Sequence, residues 1–138
     1  CSFVLSVYTG MQLNITDILL VGTGSCLGGI ARYAVSRVLH GAAAFSFPWG
    51  TFVVNVAGCL IIGVIYGMLD RGFQLSSAMK LFLTVGFCGG FTTFSTFVHE
   101  NYQLLQTSHI LLTAVDIALS IVCGILAVYV GYRLVHSL

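Results

Sequence analysis

Four long apolar stretches constrain this chain of 138 residues more than any other feature of its sequence. A helix needs about 20 mostly apolar residues to cross the hydrocarbon core of a bilayer. Four segments meet that requirement, at about Ile15 to Val38, Gly50 to Leu69, about Met79 to Leu105 and about Ile110 to Leu134. The connections between them are too short to hold a soluble domain. We therefore predict an all-α membrane protein with four transmembrane helices, embedded in a lipid bilayer.

The composition excludes the common soluble classes. Hydrophobic residues make up 58% of the chain and charged residues only 7%, against about 25% charged residues in soluble domains. So few charges cannot cover the surface of a soluble enzyme. The formal net charge is +1 and the basic residues form no cluster, so the footprint of a nucleic-acid-binding protein is missing.

The chain divides into two unequal parts. We interpret residues 1–14 as an N-terminal extension, because they lack the basic flank of a signal peptide. Residues 15–138 are expected to form one membrane domain.

The basic residues give only a weak bias for the orientation of the spans. Arg71, Lys80 and Arg133 would lie on one side of the membrane, and Arg37, with Arg32 at the end of the first span, toward the other. Orientation follows the excess of Lys and Arg on the cytoplasmic side. A weak excess permits insertion in both directions and hence an antiparallel homodimer, while a single orientation stays open.

Glycine spacing indicates close helix contacts. Gly24 and Gly28 form a GxxxG motif in the first span, and Gly63 and Gly67 form another in the second. Such motifs let helix backbones approach each other closely in lipid. They predict a packed bundle or an oligomer without deciding between the two.

The third span contains an unusual stretch at residues 86–97, which has three glycines and four hydroxyl residues in an apolar setting. Glycine is weak in helix interiors, so the pair Gly89-Gly90 is a candidate break. A break at membrane depth frees backbone carbonyls, which coordinate ions in transporters. A glycine contact face without a break is the alternative.

Aromatic and hydroxyl side chains alternate directly after this glycine pair. Phe94 and Phe97 are three residues apart and share a helix face, with Ser95 and Thr96 between them. The positive edges of aromatic rings and hydroxyl hydrogens can approach an anion without a full positive charge. The pattern is compatible with an anion path, and also with ordinary packing of a phenylalanine stripe.

A few other polar side chains lie within the spans. Asn55 can face an anion or form an interhelical hydrogen bond. Arg32 can attract anions or extend to the lipid headgroups. Ser120 can bond its own backbone. A carboxylate at Asp116 would repel an anion, so we expect it to lie away from an anion path or to have a partner.

Three stretches make the sequence similar to a known family. They are Gly-Gly-Ile-Ala-Arg-Tyr (28–33), Gly-Thr-Phe-Val-Val-Asn-Val-Ala-Gly (50–58) and Gly-Phe-Cys-Gly-Gly-Phe-Thr-Thr-Phe-Ser-Thr-Phe (86–97). With them the chain resembles the Fluc (CrcB) family of fluoride channels from about residue 15 to its C-terminus. The resemblance implies an antiparallel, dual-topology homodimer with two fluoride pores, located in the inner (plasma) membrane.

The resemblance also implies site residues. A structural Na⁺ at the dimer centre would be held by the backbone carbonyls of Gly89 and Thr92, in a broken third helix. Arg32 would line a vestibule, and Glu100 matches a carboxylate that follows the motif. The implied fluoride pore residues are Asn55, Phe94, Ser95, Thr96, Phe97 and Ser120. The contribution of the fourth helix departs from the family at Asp116 and Gly124.

The expected function is passive export of fluoride from the cytoplasm. A small dual-topology, proton-coupled drug exporter is the alternative, with Asp116 as its titratable carboxylate. We do not expect an enzyme, because the four histidines lie near span ends without a ligand spacing and no HExxH or GxSxG motif occurs.

Overall fold

The computed structural model describes residues 14–42 and 47–137, and every regular element in these ranges is helical. Backbone groups in lipid must find hydrogen-bond partners within the protein, and helices provide them within one segment. The helices are α1 (Ile15–Ala42), α2 (Trp49–Asp70), α3 (Ser77–Leu81), α4 (Gly89–Phe91), α5 (Phe94–Gln106) and α6 (Ile110–Ser137). A π-helical segment, Phe82–Cys88, joins α3 to α4.

Four helical stretches are long and apolar enough to cross a membrane. They are Ile15–Leu39, Trp49–Asp70, Ser77–Gln106 and Ile110–Ser137. These bounds confirm the four predicted spans, and the chain is a multi-pass helical membrane protein. The proposed N-terminal extension lies outside the described residues, apart from Asn14.

Both GxxxG motifs are contact faces between helices of the same chain. Gly63 and Gly67 of α2 lie against Val128 and Tyr132 of α6, so α2 and α6 run side by side in the same direction. At Gly63 a Cβ would collide with the Val128 carbonyl oxygen. The predicted role of these glycines in close packing is confirmed, and it operates already within one chain.

The first motif holds α1 against the third span. A Cβ at Gly24 would lie 2.7 Å from the Phe82 carbonyl oxygen, and one at Gly28 would lie 2.8 Å from the Phe91 backbone nitrogen. Real Cβ atoms do not approach backbone this closely, so only glycine permits this separation of the helices.

The prediction of a break at Gly89-Gly90 is wrong in its position. Gly89 has helical dihedrals of φ −63° and ψ −37°, and both glycines belong to α4. Gly90 lies against the backbone of Ser25, where a Cβ would be 2.7 Å from the Ser25 Cα. Gly90 therefore serves close packing, whereas a Cβ at Gly89 would meet nothing within 4 Å, and neither glycine bends the chain.

Extended backbone instead occurs at the next two threonines. Thr92 has φ −84° and ψ 158°, and Thr93 has φ −149° and ψ 118°. Helical structure resumes at Phe94. We refer to Thr92 and Thr93 as the extended pair.

Candidate functional site

The extended pair is held on its N-terminal side by the preceding helical turn. Both the backbone nitrogen and Oγ1 of Thr92 donate to the Cys88 carbonyl oxygen, each at 2.9 Å. These bonds satisfy polar groups that would otherwise face the apolar interior of the span.

Asn55 of α2 binds the backbone of the other extended residue through both ends of its amide. Its Oδ1 accepts from the Thr93 backbone nitrogen at 2.8 Å, and its Nδ2 donates to the Thr93 carbonyl oxygen at 3.1 Å. These are the two groups that a helix would have satisfied internally. Asn55 therefore replaces helical hydrogen bonds and fixes the conformation of the extended pair from the neighbouring span.

The Thr93 hydroxyl caps the N-terminus of α5 and contacts two other hydroxyl groups. Its Oγ1 accepts from the Thr96 backbone nitrogen at 3.3 Å, which is the hydrogen bond of a helix N-cap. It also donates to Thr96 Oγ1 at 3.0 Å and lies 3.4 Å from Ser95 Oγ. Thr93 is buried, whereas Ser95 and Thr96 are exposed in the single chain.

The two phenylalanines of this segment lie side by side. The ring centroids of Phe94 and Phe97 are 6.1 Å apart, with an interplanar angle of 40°. Phe94 is 78% exposed and Phe97 is half-buried. Together with Ser95 and Thr96 they form an exposed face of rings and hydroxyl groups near the middle of the third span, which we call the ring–hydroxyl face.

Ser120 and Asp116 belong to a second polar cluster, between α5 and α6. Ser120 Oγ donates to Asp116 Oδ1 at 3.4 Å, and Asn101 Nδ2 donates to Asp116 Oδ2 at 2.7 Å. Asp116 has no exposed surface and Asn101 is 5% exposed. The expectation that Asp116 has a partner is confirmed, and the partner is the Asn101 amide.

The remaining predicted residues lie on the third span, except Arg32, which lies on α1. Gly89 and Thr92 are three positions apart, with Gly89 exposed and Thr92 half-buried. Arg32 is half-buried on α1, one helical turn after Gly28. Glu100 is half-buried on α5. Among the described residues, no group of three or more His, Cys, Asp or Glu side chains could hold a metal ion.

The sequence did not single out Thr93 or Asn101, although both are buried in these clusters. A signal for Thr93 was present, since threonine is a favoured N-cap and Thr96 follows three residues later. The pairing of Asn101 with Asp116 leaves no such local signal, because the two residues lie on different helices.

Comparison with known proteins adds an independent finding. The family model described as "CrcB-like protein, Camphor Resistance (CrcB)" matches residues 19–132. A protein of Flavobacterium psychrophilum is 40% identical over 121 residues, covering 88% of this chain and 98% of its own length. One from Pyrococcus abyssi is 40% identical over 124 residues, with 90% and 98% covered. A third, from Bacteroides fragilis, is 42% identical over 118 residues, with 83% and 92% covered. All three are named "Fluoride-specific ion channel FluC".

Proposed function

Because the chain belongs to the CrcB-like family, we propose that it is a fluoride-selective ion channel of the plasma membrane. Its relatives from three distant organisms carry the name of a fluoride-specific ion channel and are matched over nearly their whole length. A channel of this kind performs no covalent chemistry, in agreement with the expectation that the chain is not an enzyme.

The ring–hydroxyl face is the observation that supports this function, because it offers candidate donors for an anion. Fluoride must exchange its hydration shell for polarised donors in a narrow path. Hydroxyl hydrogens of Ser95 and Thr96 and the ring edges of Phe94 and Phe97 are donors of this kind, since they carry no full charge that would trap the anion. Asn55 contributes indirectly, by fixing the backbone from which the face begins.

Fluoride export needs no metabolic coupling in this proposal. An inside-negative membrane potential favours exit of an anion by about 2.3 kcal/mol per charge for each 100 mV. Arg32 would raise the local concentration of anions at a vestibule.

A second, antiparallel copy of the chain would complete the path, giving two pores per homodimer. Exposed hydroxyl groups at Ser95 and Thr96 are unfavourable against lipid chains, and a partner that covers the ring–hydroxyl face would remove them from lipid. The weak charge bias permits the opposite insertion of that partner. A detergent-purified protein with the mass of a single copy, or two copies inserted in the same direction, would contradict this part of the proposal.

A structural Na⁺ at the dimer centre fits the residues present. Backbone carbonyls are hard oxygen ligands, and the ψ of 158° at Thr92 turns its carbonyl away from the helical direction. Gly89 is exposed on the surface of the single chain, where a partner could approach. The ion would link the two copies electrostatically. Thermal unfolding at the same temperature in Na⁺ and in choline would contradict it.

Anion efflux from reconstituted vesicles tests the function. We expect fluoride to leave vesicles that contain the wild-type chain much faster than protein-free vesicles, and chloride to remain inside. Phe94→Ala and Phe97→Ala should slow fluoride efflux, because each removes a ring edge from the path. Phe73→Ala is the matched control, since this exposed phenylalanine lies in the connection between α2 and α3.

Two results would refute the proposal. One is a wild-type efflux rate equal to that of protein-free vesicles, and the other is equal rates for fluoride and chloride. Normal conduction by both phenylalanine variants would refute the assigned location of the path.

The drug-exporter alternative is not favoured. A proton-coupled exporter needs a carboxylate that substrate can reach, whereas Asp116 has no exposed surface and binds Asn101.

A further inference from the structure

Asp116 is a fully buried carboxylate in the membrane-spanning helix α6. Within the described residues, its hydrogen-bond partners are the Asn101 amide at 2.7 Å and the Ser120 hydroxyl at 3.4 Å. Both partners are neutral. An ionised carboxylate is strongly disfavoured in such a setting unless a cation or several donors compensate its charge.

In the described ranges, no Lys or Arg lies on a helix that packs beside this carboxylate. Arg32 and Arg37 are on α1 and Lys80 is on α3, and neither helix contacts α6 in the described part of the chain. Arg133 is 17 residues further along α6, about 25 Å at the rise of an α-helix. Arg71 reaches the Val135 carbonyl oxygen at that same distant end.

The titratable groups on the helices packed against Asp116 do not supply a cation either. On α5 they are His99 and Tyr102, both exposed, and the acidic Glu100. The closest such residue on α2 is Cys59, which lies against Gly124, eight residues and about 12 Å beyond Asp116 along α6. On the N-terminal side, the exposed His109 contacts the Thr107 carbonyl oxygen.

The hydrogen bonds of Asn101 show that the cluster lacks a donor. Its Nδ2 donates one hydrogen to the Phe97 carbonyl oxygen, at 3.0 Å, and the other to Asp116 Oδ2. Because that carbonyl can only accept, the orientation of the amide is fixed. Oδ1 of Asn101 is buried, and no donor from the described residues reaches it. An ionised Asp116 would bring only acceptors to this buried cluster, whereas a protonated one carries a hydrogen that it can donate.

We propose that Asp116 carries a proton in the folded channel and that, through Asn101, it positions the backbone of Phe97 in the fluoride path. The link consists of two hydrogen bonds that Asn101 Nδ2 donates, one to Asp116 Oδ2 and one to the Phe97 carbonyl oxygen. Loss of the proton places a negative charge beside the proposed fluoride path. It also removes the hydrogen that Asp116 can donate within the cluster around Asn101. Asp116 is thus a positioning residue, and this role rests on the proposed function.

Infrared spectroscopy of the reconstituted full chain tests the protonation directly. Wild-type protein at neutral pH should show the C=O stretch of a protonated carboxyl group, and Asp116→Asn should remove it. Asp70→Asn is the matched control, because Asp70 is an exposed carboxylate bonded to the Tyr132 hydroxyl. This variant should leave the band in place. A band that persists in Asp116→Asn, or the loss of an ionised carboxylate band instead, would overturn the proposal.

The pH dependence of fluoride efflux tests the positioning role. Above the pH at which Asp116 loses its proton, wild-type efflux should fall by up to about tenfold per pH unit, the slope of one titrating group. Asp116→Asn should keep a flat profile over the same range, and Asp70→Asn should follow the wild type. Equal profiles for wild type and Asp116→Asn would overturn the positioning role.

Two further comparisons keep these tests decisive. If Asp116→Asn does not fold, Asn101→Leu leaves Asp116 intact and should shift the carboxyl band, because it removes the amide donor; an unshifted band would overturn the link. If wild-type vesicles show the band but no fluoride efflux, the protonated carboxyl stands and the proposed function fails.

Discussion

Replacing Asn55 with leucine tests whether the extended pair depends on its neighbour in α2. Leucine has nearly the shape of asparagine but offers neither donor nor acceptor. The change leaves the Thr93 backbone nitrogen and carbonyl oxygen without their partners at 2.8 and 3.1 Å. An unsatisfied buried polar group costs about 1–3 kcal/mol. Because these groups are only partly buried, we take the lower half of that range for each and expect a total loss of about 3 kcal/mol.

Thermal unfolding in detergent and fluoride efflux from vesicles measure the two consequences. A loss of about 3 kcal/mol corresponds to a factor of about 160 in the folding equilibrium, and it should lower the unfolding temperature clearly. Efflux should fall as well, because Thr93 anchors the ring–hydroxyl face. Thr23→Val is the control, since this exposed hydroxyl bonds only the carbonyls of its own helix. An Asn55→Leu protein with wild-type unfolding temperature and efflux would refute the reasoning.

Two other predictions follow from the packing and from the N-cap. Gly28→Ala should destabilise the protein by about 1–3 kcal/mol, because its Cβ meets rigid backbone. The adjacent Gly29→Ala, with nothing within 4 Å, should stabilise it by up to about 1 kcal/mol; similar melting curves for the two variants would contradict this. Thr93→Val should cost about 1 kcal/mol through loss of the N-cap, whereas Thr84→Val removes only a bond to the Lys80 carbonyl oxygen one turn earlier. Equal melting temperatures for these two would argue against the cap.

The fold class could be read from the sequence because the bilayer imposes a simple requirement. A span must be long, apolar and helical, and each of these properties is local. The same holds for the two GxxxG motifs, where small residues at one-turn spacing mark a contact face regardless of the partner. Identification of the partner needed the structure, which assigns Gly28 to the third span and Gly63 to α6.

The site was predictable in its residues but less so in its geometry. Glycine's conformational freedom suggested that the helix would yield at Gly89-Gly90. In the structure Gly90 is helical and packs against Ser25. The extended backbone occurs at Thr92 and Thr93 instead. A propensity reports what a residue permits, whereas the neighbouring helix decides which permitted conformation is used.

Hydropathy, length and spacing are properties of consecutive residues, so the order of amino acids is enough to specify a four-span helical membrane protein with rings and hydroxyl groups in its third span. The contacts of Asn55 with Thr93 and of Asn101 with Asp116 and Phe97 became known only from the packed helices. The Asn55–Thr93 and Asn101–Asp116 bonds join residues of different spans, and a hydrogen bond exists only when packing brings donor and acceptor within about 3 Å of each other.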